Sequence, residues 1–136
     1  MSKTILITGA GTGIGKDTAF ALAARGHQVL ATTQTSAQAL ALQDAAKAQG
    51  LNLNAFKLDI TSPTEREQLT HHTIDVLINN AAMGESGSLA EVDMQRVRQL
   101  FEVNLFATLE LTQVALRQMI QRESGTVLFI SSIAGR

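Results

Sequence analysis

Residues Thr8–Thr18 read TGAGTGIGKDT and set four glycines and one lysine between an apolar run and a helix-like segment. Glycines at such a junction suit a phosphate. Without Cβ atoms the backbone comes close to the anion, and a helix opening there aims free N–H groups and the positive end of its dipole at it. Two chemistries use this device. A nucleoside-triphosphate loop needs G-x-x-x-x-G-K-[ST]. Counting back from Gly15-Lys16 puts Ala10 at the first glycine and Asp17 at the metal-binding hydroxyl. A carboxylate there repels phosphate oxygens, which argues against that chemistry. Dinucleotide binding commonly uses G-x-G-x-x-G, and its strict form fails because Ile14 stands at the last glycine. What the chain does contain is G-x-x-x-G-x-G at Gly9, Gly13 and Gly15. Gly9 allows a tight exit from the strand, Gly13 a close approach to a pyrophosphate, and Gly15 close packing of the helix on the sheet. A bend with no ligand is the alternative. The location of the turn, after the first strand and at the start of the first helix, is the one the ligand mechanism demands.

Other polar residues sit where they could act, each with a plainer alternative. Asp59 follows an apolar strand and either serves a ligand or caps the turn. Asn79-Asn80 end a strand, where their amides can also close the backbone. Asn104 lies in a helical run against its propensity. Ser131 and Ser132 end the last strand at its carboxyl edge, where open α/β sheets bind ligands; Ser132 is the candidate and Ser131 reads as structural. His71 and His72 are adjacent, so on a helix they project about 100° apart and share no metal ion. They read as surface residues, and no metal site is expected.

The elements that position these residues alternate. TILIT (Thr4–Thr8) reads as the first strand, and residues 13–25 as a helix with Ile14, Ala21 and Leu22 at helical spacing, closed by Gly26. QVLATT (Gln28–Thr33) is the second strand, and an alanine-rich helix follows over 36–49, stopped by Gly50. LNLNAFKLDI holds the third strand in period two, and Ser62-Pro63 opens a short helix as N-cap and N1. DVLINN (Asp75–Asn80) is the fourth strand and GESGS a loop. A long helical stretch from Leu89 to about Gln121 is expected to break near 101–104, and GTVLFISS (Gly125–Ser132) is the fifth strand. Short, nearly continuous apolar strands alternating with helices predict a doubly wound parallel α/β sheet. No repeat or linker divides residues 1–136, which read as one dinucleotide-binding domain. The chain ends soon after the fifth strand, so further strands and helices are expected to complete the domain.

Composition narrows the rest. The 136 residues are 45% hydrophobic with a net charge of -1, an ordinary globular balance. A near-neutral chain lacks the basic face that nucleic acid or a membrane surface would attract. There is no cysteine, which excludes disulfides and thiolate chemistry. No apolar run approaches the ~18 residues of a membrane span, nor is the N-terminus a signal peptide, so a cytoplasmic protein is expected.

TGAGTGIG, LDIT, NNAA, an asparagine in the next helix and ISSIAG, in that order, resemble the short-chain dehydrogenase/reductase family from Thr4 to Gly135. The resemblance implies a Rossmann-like sheet in the order 3-2-1-4-5 and an NAD(P)-dependent oxidoreductase that moves hydride between nicotinamide and a small carbonyl or alcohol substrate. It implies that Gly9, Gly13 and Gly15 form the pyrophosphate turn, lined by Thr12 and Ile14. Asp59 would accept from the adenine amino group, with Ile60 beside the ring. Asn80 and Ala81 would line the adenosine-side ribose and the nicotinamide cleft. Asn104 would hold a relay water, and Ser132 would bond the reacting oxygen.

The chain departs from the family pattern in three places. Ala82 replaces the usual last glycine of N-N-A-G. Thr33, followed by Gln34, stands where an acid would select NAD, so nothing repels a 2′-phosphate and NADP is slightly favoured over NAD. Thr12 sits where a basic residue often marks NADP preference. The family's Tyr-x-x-x-Lys, which supplies the proton, has no counterpart, because the chain has no tyrosine at all. These 136 residues are therefore expected to be catalytically incomplete, and a non-catalytic dinucleotide-binding module is the alternative reading. A methyltransferase domain is disfavoured because NNAA and ISSIAG have no role there.

Between Phe101 and Ile120 apolar residues cover roughly two thirds of the helical wheel. One arc holds Phe101, Leu105, Leu109, Leu116 and Met119, and the other Val103, Ala107, Leu111 and Val114. One arc can pack on the sheet. The other needs a cover, and a homo-oligomer of the intact protein is expected to supply it.

Overall fold

Runs of β-branched and leucine residues form five strands: β1 (Thr4–Ile7), β2 (Gln28–Thr33), β3 (Leu53–Lys57), β4 (Val76–Asn79) and β5 (Thr126–Phe129). In a computed structural model, which describes residues 1–133, they pair in parallel, as the alternation of elements predicts, and in the order β3-β2-β1-β4-β5 that the family resemblance implies. Register aligns Leu6 with Leu30 on one side and Leu77 on the other. These three leucines share a core with Leu111, Ala115 and Met119 of α5 (Thr108–Gln121). Ile5, Ile7, Val29, Ala31 and Ile78 share the core of the opposite face with α1 (Gly13–Ala24) and α2 (Ser36–Ala48). Both faces of the central strands are thus covered, and each fully buried leucine contributes about 1.5–3 kcal/mol.

Local chemistry fixes the helices. Gly15, Ala19 and Ala23 are the buried residues of α1, rather than Ile14, Ala21 and Leu22, whose spacing is equally helical. Small side chains let the helix axis come close to the sheet, which a larger apolar face would prevent. Thr35 and Gln38 form a capping box at the start of α2, each side chain bonding the other's backbone N–H. Gly26 and Gly50, just past the ends of α1 and α2, have φ of +85° and +66°. The Gln43 amide bonds the edge strand β3 at both Leu53 O and Ala55 N. Ser62 caps α3 (Pro63–Arg66), with Pro63 at its start.

The long helical stretch starts later than its apolar residues suggest. Asp93 caps α4 (Met94–Phe101), and residues 89–93 form a turn outside it. The expected break near 101–104 is a π-helical segment, Glu102–Ala107, running unbroken into α5. The Thr108 hydroxyl donates to the Val103 carbonyl inside that wide turn. Of the two predicted arcs, Val103, Ala107, Leu111 and Val114 pack on the sheet, and Leu116 and Met119 join them. Phe101, Leu105 and Leu109 remain exposed. The extra residue of a π turn rotates the helix face, so a single wheel drawn across it misassigns the residues beyond.

Candidate functional site: a dinucleotide pocket at the carboxyl edge of the sheet

A cavity of about 450 Å³ opens at the carboxyl ends of the strands. On one side lie Gly9, Gly11 and Thr12, and on the other Leu58, Asp59, Ile60 and Thr61. Gln34 and Gln38 close one end, and Ala81, Met83, Gln99 and Val103 complete the lining. This is where an open α/β sheet binds ligands, beside the point at which strand order reverses between β1 and β4.

The turn after β1 is built around missing side chains. Gly9 has φ +66°, and a Cβ on it would lie 2.7 Å from the Ala81 Cα. A Cβ on Gly15 would strike the Gly9 carbonyl and come within 2.5 Å of the Asn80 side-chain nitrogen. These two glycines bring the turn, the start of α1 and the end of β4 into contact. Gly13 is different: its φ is +55°, and a Cβ on it would meet nothing within 4 Å. Thr12 is the N-cap of α1, yet its hydroxyl caps none of the first-turn N–H groups. Uncapped donors, a helix dipole and open space at Gly13 together fit a pyrophosphate. Ile14 stands exposed at the same helix start.

Thr8 and Asn80 hold this turn in place. The Thr8 hydroxyl, fully buried, accepts from the backbone N–H of Asn80 and of Ala81 at 3.1 and 3.0 Å. The Asn80 amide returns bonds to the carbonyls of Thr8 and Gly9 at 3.0 and 3.1 Å. Thr8 was not singled out from the sequence, where it reads only as the last residue of a β-branched run. Asn79 points the other way, donating to the buried Thr112 hydroxyl of α5 at 3.0 Å.

The facing wall is braced as firmly. Asp59 Oδ1 accepts from both the N–H and the hydroxyl of Thr61, at 2.9 and 2.7 Å. The Asp59 N–H donates to Glu65 at 2.7 Å, and Glu65 pairs with Lys57. That backbone bond, then Lys57, holds the Glu65 carboxyl below its ordinary pKa of 4.5. Asp59 thus makes the turn-closing bonds while also lining the pocket.

Not every candidate lies in the lining. Thr33 is 1% exposed and its hydroxyl donates to the Thr35 carbonyl, so the next residue, Gln34, is the one that reaches the cavity. Ala82 is exposed beyond Ala81. Asn104, in the π segment, accepts from the Met83 N–H at 2.9 Å and donates to the Met83 carbonyl at 2.8 Å, tying the loop after β4 to the helix. Ser132 is exposed beyond the end of β5 and does not line the cavity. Ala134 and Gly135, the end of the ISSIAG motif, lie outside the described residues. Among the described residues no group of three or more His, Asp or Glu side chains is placed to hold a metal ion. No helix among them is long and apolar enough to cross a membrane.

A family model for short chain dehydrogenase matches residues 3–136. The chain belongs to the short-chain dehydrogenase family. It is 33% identical over 140 residues to the ketoacyl reductase HetN of Nostoc sp., covering 98% of this chain and 49% of that protein. It is 32% identical to the 3-oxoacyl-[acyl-carrier-protein] reductase FabG of Escherichia coli, covering 98% of this chain and 56% of the reductase. Among solved structures, a short-chain dehydrogenase from Streptomyces avermitilis superposes with a TM-score of 0.88 at 33% identity, over 99% of this chain and 51% of that one. A 7α-hydroxysteroid dehydrogenase, solved with NADH and 7-oxo glycochenodeoxycholic acid, gives 0.89 at 31% identity over 98% of this chain and 54% of that one. This short-chain dehydrogenase chain spans about half the length of the relatives it matches.

Proposed function

We propose that the cavity takes the adenosine half of NAD(P), and that the intact protein moves hydride between nicotinamide and a small carbonyl or alcohol substrate. The observation that carries this reading is the pairing of an uncapped helix start, open at Gly13, with the Asp59–Thr61 wall across the cavity. Gly9, Gly13 and Gly15 shape the pyrophosphate turn, with Thr12 and Ile14 at its rim. Asp59 and Ile60 meet the adenine. Asn80 orders the turn, and Ala81 and Ala82 lead toward the nicotinamide. The dinucleotide supplies or accepts the hydride. Ser132 bonds the substrate oxygen, and Asn104 holds a relay water beside Met83. These 136 residues bind the cofactor without turning it over, since they contain no tyrosine to pass the proton.

NADP is the favoured cofactor. Around the end of β2 the cavity presents the amides of Gln34 and Gln38 and, among the described residues, no carboxylate, so none of them repels a 2′-phosphate there. The exposed residues Phe101, Leu105 and Leu109 form the face, running from α4 through the π segment into α5, through which the intact protein forms a homo-oligomer. A cytoplasmic setting fits such a cofactor. Equilibrium titration with NADPH and NADH tests the binding half. Saturable binding of both, tighter for NADPH, is expected, and absence of binding refutes the proposal. Hydride transfer to a panel of ketones by the intact protein tests the other half. Binding without turnover there would favour the non-catalytic module.

A further inference from the structure

Arg66 ends α3, a short surface helix where a charged side chain is ordinarily solvated, yet it is 6% exposed. Its Nη1 donates to the Ile60 carbonyl at 2.7 Å. Its Nη2 pairs with the Glu110 carboxylate of α5. A buried guanidinium is tolerated only when paired and hydrogen-bonded, and replacing such a pair as a whole by apolar side chains of similar volume often costs no stability. The charge therefore has a poor claim to be there for stability alone. What it holds that an apolar side chain cannot is the carbonyl of Ile60, in the pocket wall. Glu65, its neighbour, holds the N–H of Asp59 in the same wall. The two side chains together fix a peptide donor and a peptide acceptor on consecutive residues.

We propose that Arg66 is a positioning residue for the adenine end of the cavity, its forked donors tying the Asp59–Thr61 wall to helix α5. This rests on reading the cavity as the adenosine site. The planar guanidinium reaches Ile60 and Glu110 at once, which a point charge does not do. If the wall is freed, the cavity still exists, but Asp59 and Ile60 are no longer held where an adenine ring meets them.

The test combines dissociation constants for NADPH and ADP with the thermal midpoint, for the parent chain and for Arg66→Met and Arg66→Lys. Arg66→Met is expected to weaken both ligands by about tenfold, with the midpoint lowered no further than loss of the Ile60 hydrogen bond implies. Arg66→Lys, which keeps one donor, is expected to recover part of that loss. Parent-like binding by Arg66→Met overturns the inference alone. So does a loss of affinity that follows a falling midpoint and is not relieved by lysine. If Arg66→Met does not fold, Arg66→Lys decides: weaker binding at the parent midpoint supports the role, and parent-like binding overturns it. Failure of the parent chain to bind either ligand overturns the adenosine reading and the inference together.

Discussion

Asn80 donates its side-chain N–H to the Gly9 carbonyl at 3.1 Å, so the end of β4 holds the turn that leaves β1. The same amide serves Thr8 O, and its two acceptors belong to consecutive residues of the glycine turn. Asn80→Asp keeps the shape and replaces the donor with a carboxylate facing two carbonyl oxygens. A loss of about 1–3 kcal/mol is expected, read as a lower urea midpoint, together with weaker NADPH binding. Parent-like stability in both measurements would mean that the turn holds itself.

Gly13 and Gly15 should separate binding from folding. Gly15→Ala drives a methyl into the Gly9 carbonyl, backbone that cannot swing aside. It should cost about 1–3 kcal/mol of stability, as overpacking does. Gly13→Ala meets open space and bears only the left-handed backbone cost of about 1–2 kcal/mol. Its methyl enters the volume assigned to the pyrophosphate, so its affinity should fall further than its stability predicts. Parallel urea titrations and NADPH titrations of the two variants give the comparison.

The fold was legible in the sequence, because fully buried parallel strands must be short apolar runs and Gly26, Ser62 and Pro63 punctuate them with specific backbone chemistry. The glycine turn, Asp59, Ile60 and Ala81 were legible as candidates because motif order places them on one sheet edge. The start of α4 was misread because Leu89 and Val92 look helical, although Asp93 was the available capping signal. The π segment registered only as an expected break near 101–104 and an anomalous asparagine; nothing local announces that the Thr108 hydroxyl will bond back to Val103. Thr8 and Arg66 carry no signal in one sequence. A threonine ending a strand and an arginine in a polar helix are ordinary, and only the approach of distant elements makes them braces.

Asn104 clamps both backbone polar groups of Met83, and Asn104→Ala releases them. Amide exchange at Met83 should quicken by about tenfold or less, as loss of one modest hydrogen bond implies, with the strands unaffected. Unchanged exchange at Met83 would show that the loop is held by other means.

Asp75 accepts from the Thr4 N–H at 2.9 Å and pairs with Arg122 at 3.2 Å. The Thr4 bond first, then Arg122, holds its carboxyl below the ordinary 3.8. A lowered folded-state pKa stabilises the fold above the unfolded-state value, and that stability fades as pH falls through the folded value. The gap in stability between the parent and Asp75→Asn should therefore be full at pH 7 and shrink below about pH 4. Urea unfolding at pH 7, 5 and 3 tests this, and a gap that persists unchanged at pH 3 would contradict it.

The claim that a dinucleotide occupies the cavity between the glycine turn and the Asp59–Thr61 wall is tested most directly by residue-resolved NMR of the labelled chain during titration with NADPH. The account predicts saturable shifts centred on the amides of Thr12–Gly15 and Asp59–Thr61, smaller for NADH near Gln34 and Gln38. Shifts centred instead on the second hollow, lined by His71, Arg117 and Arg122, or no saturable shift at all, would contradict it.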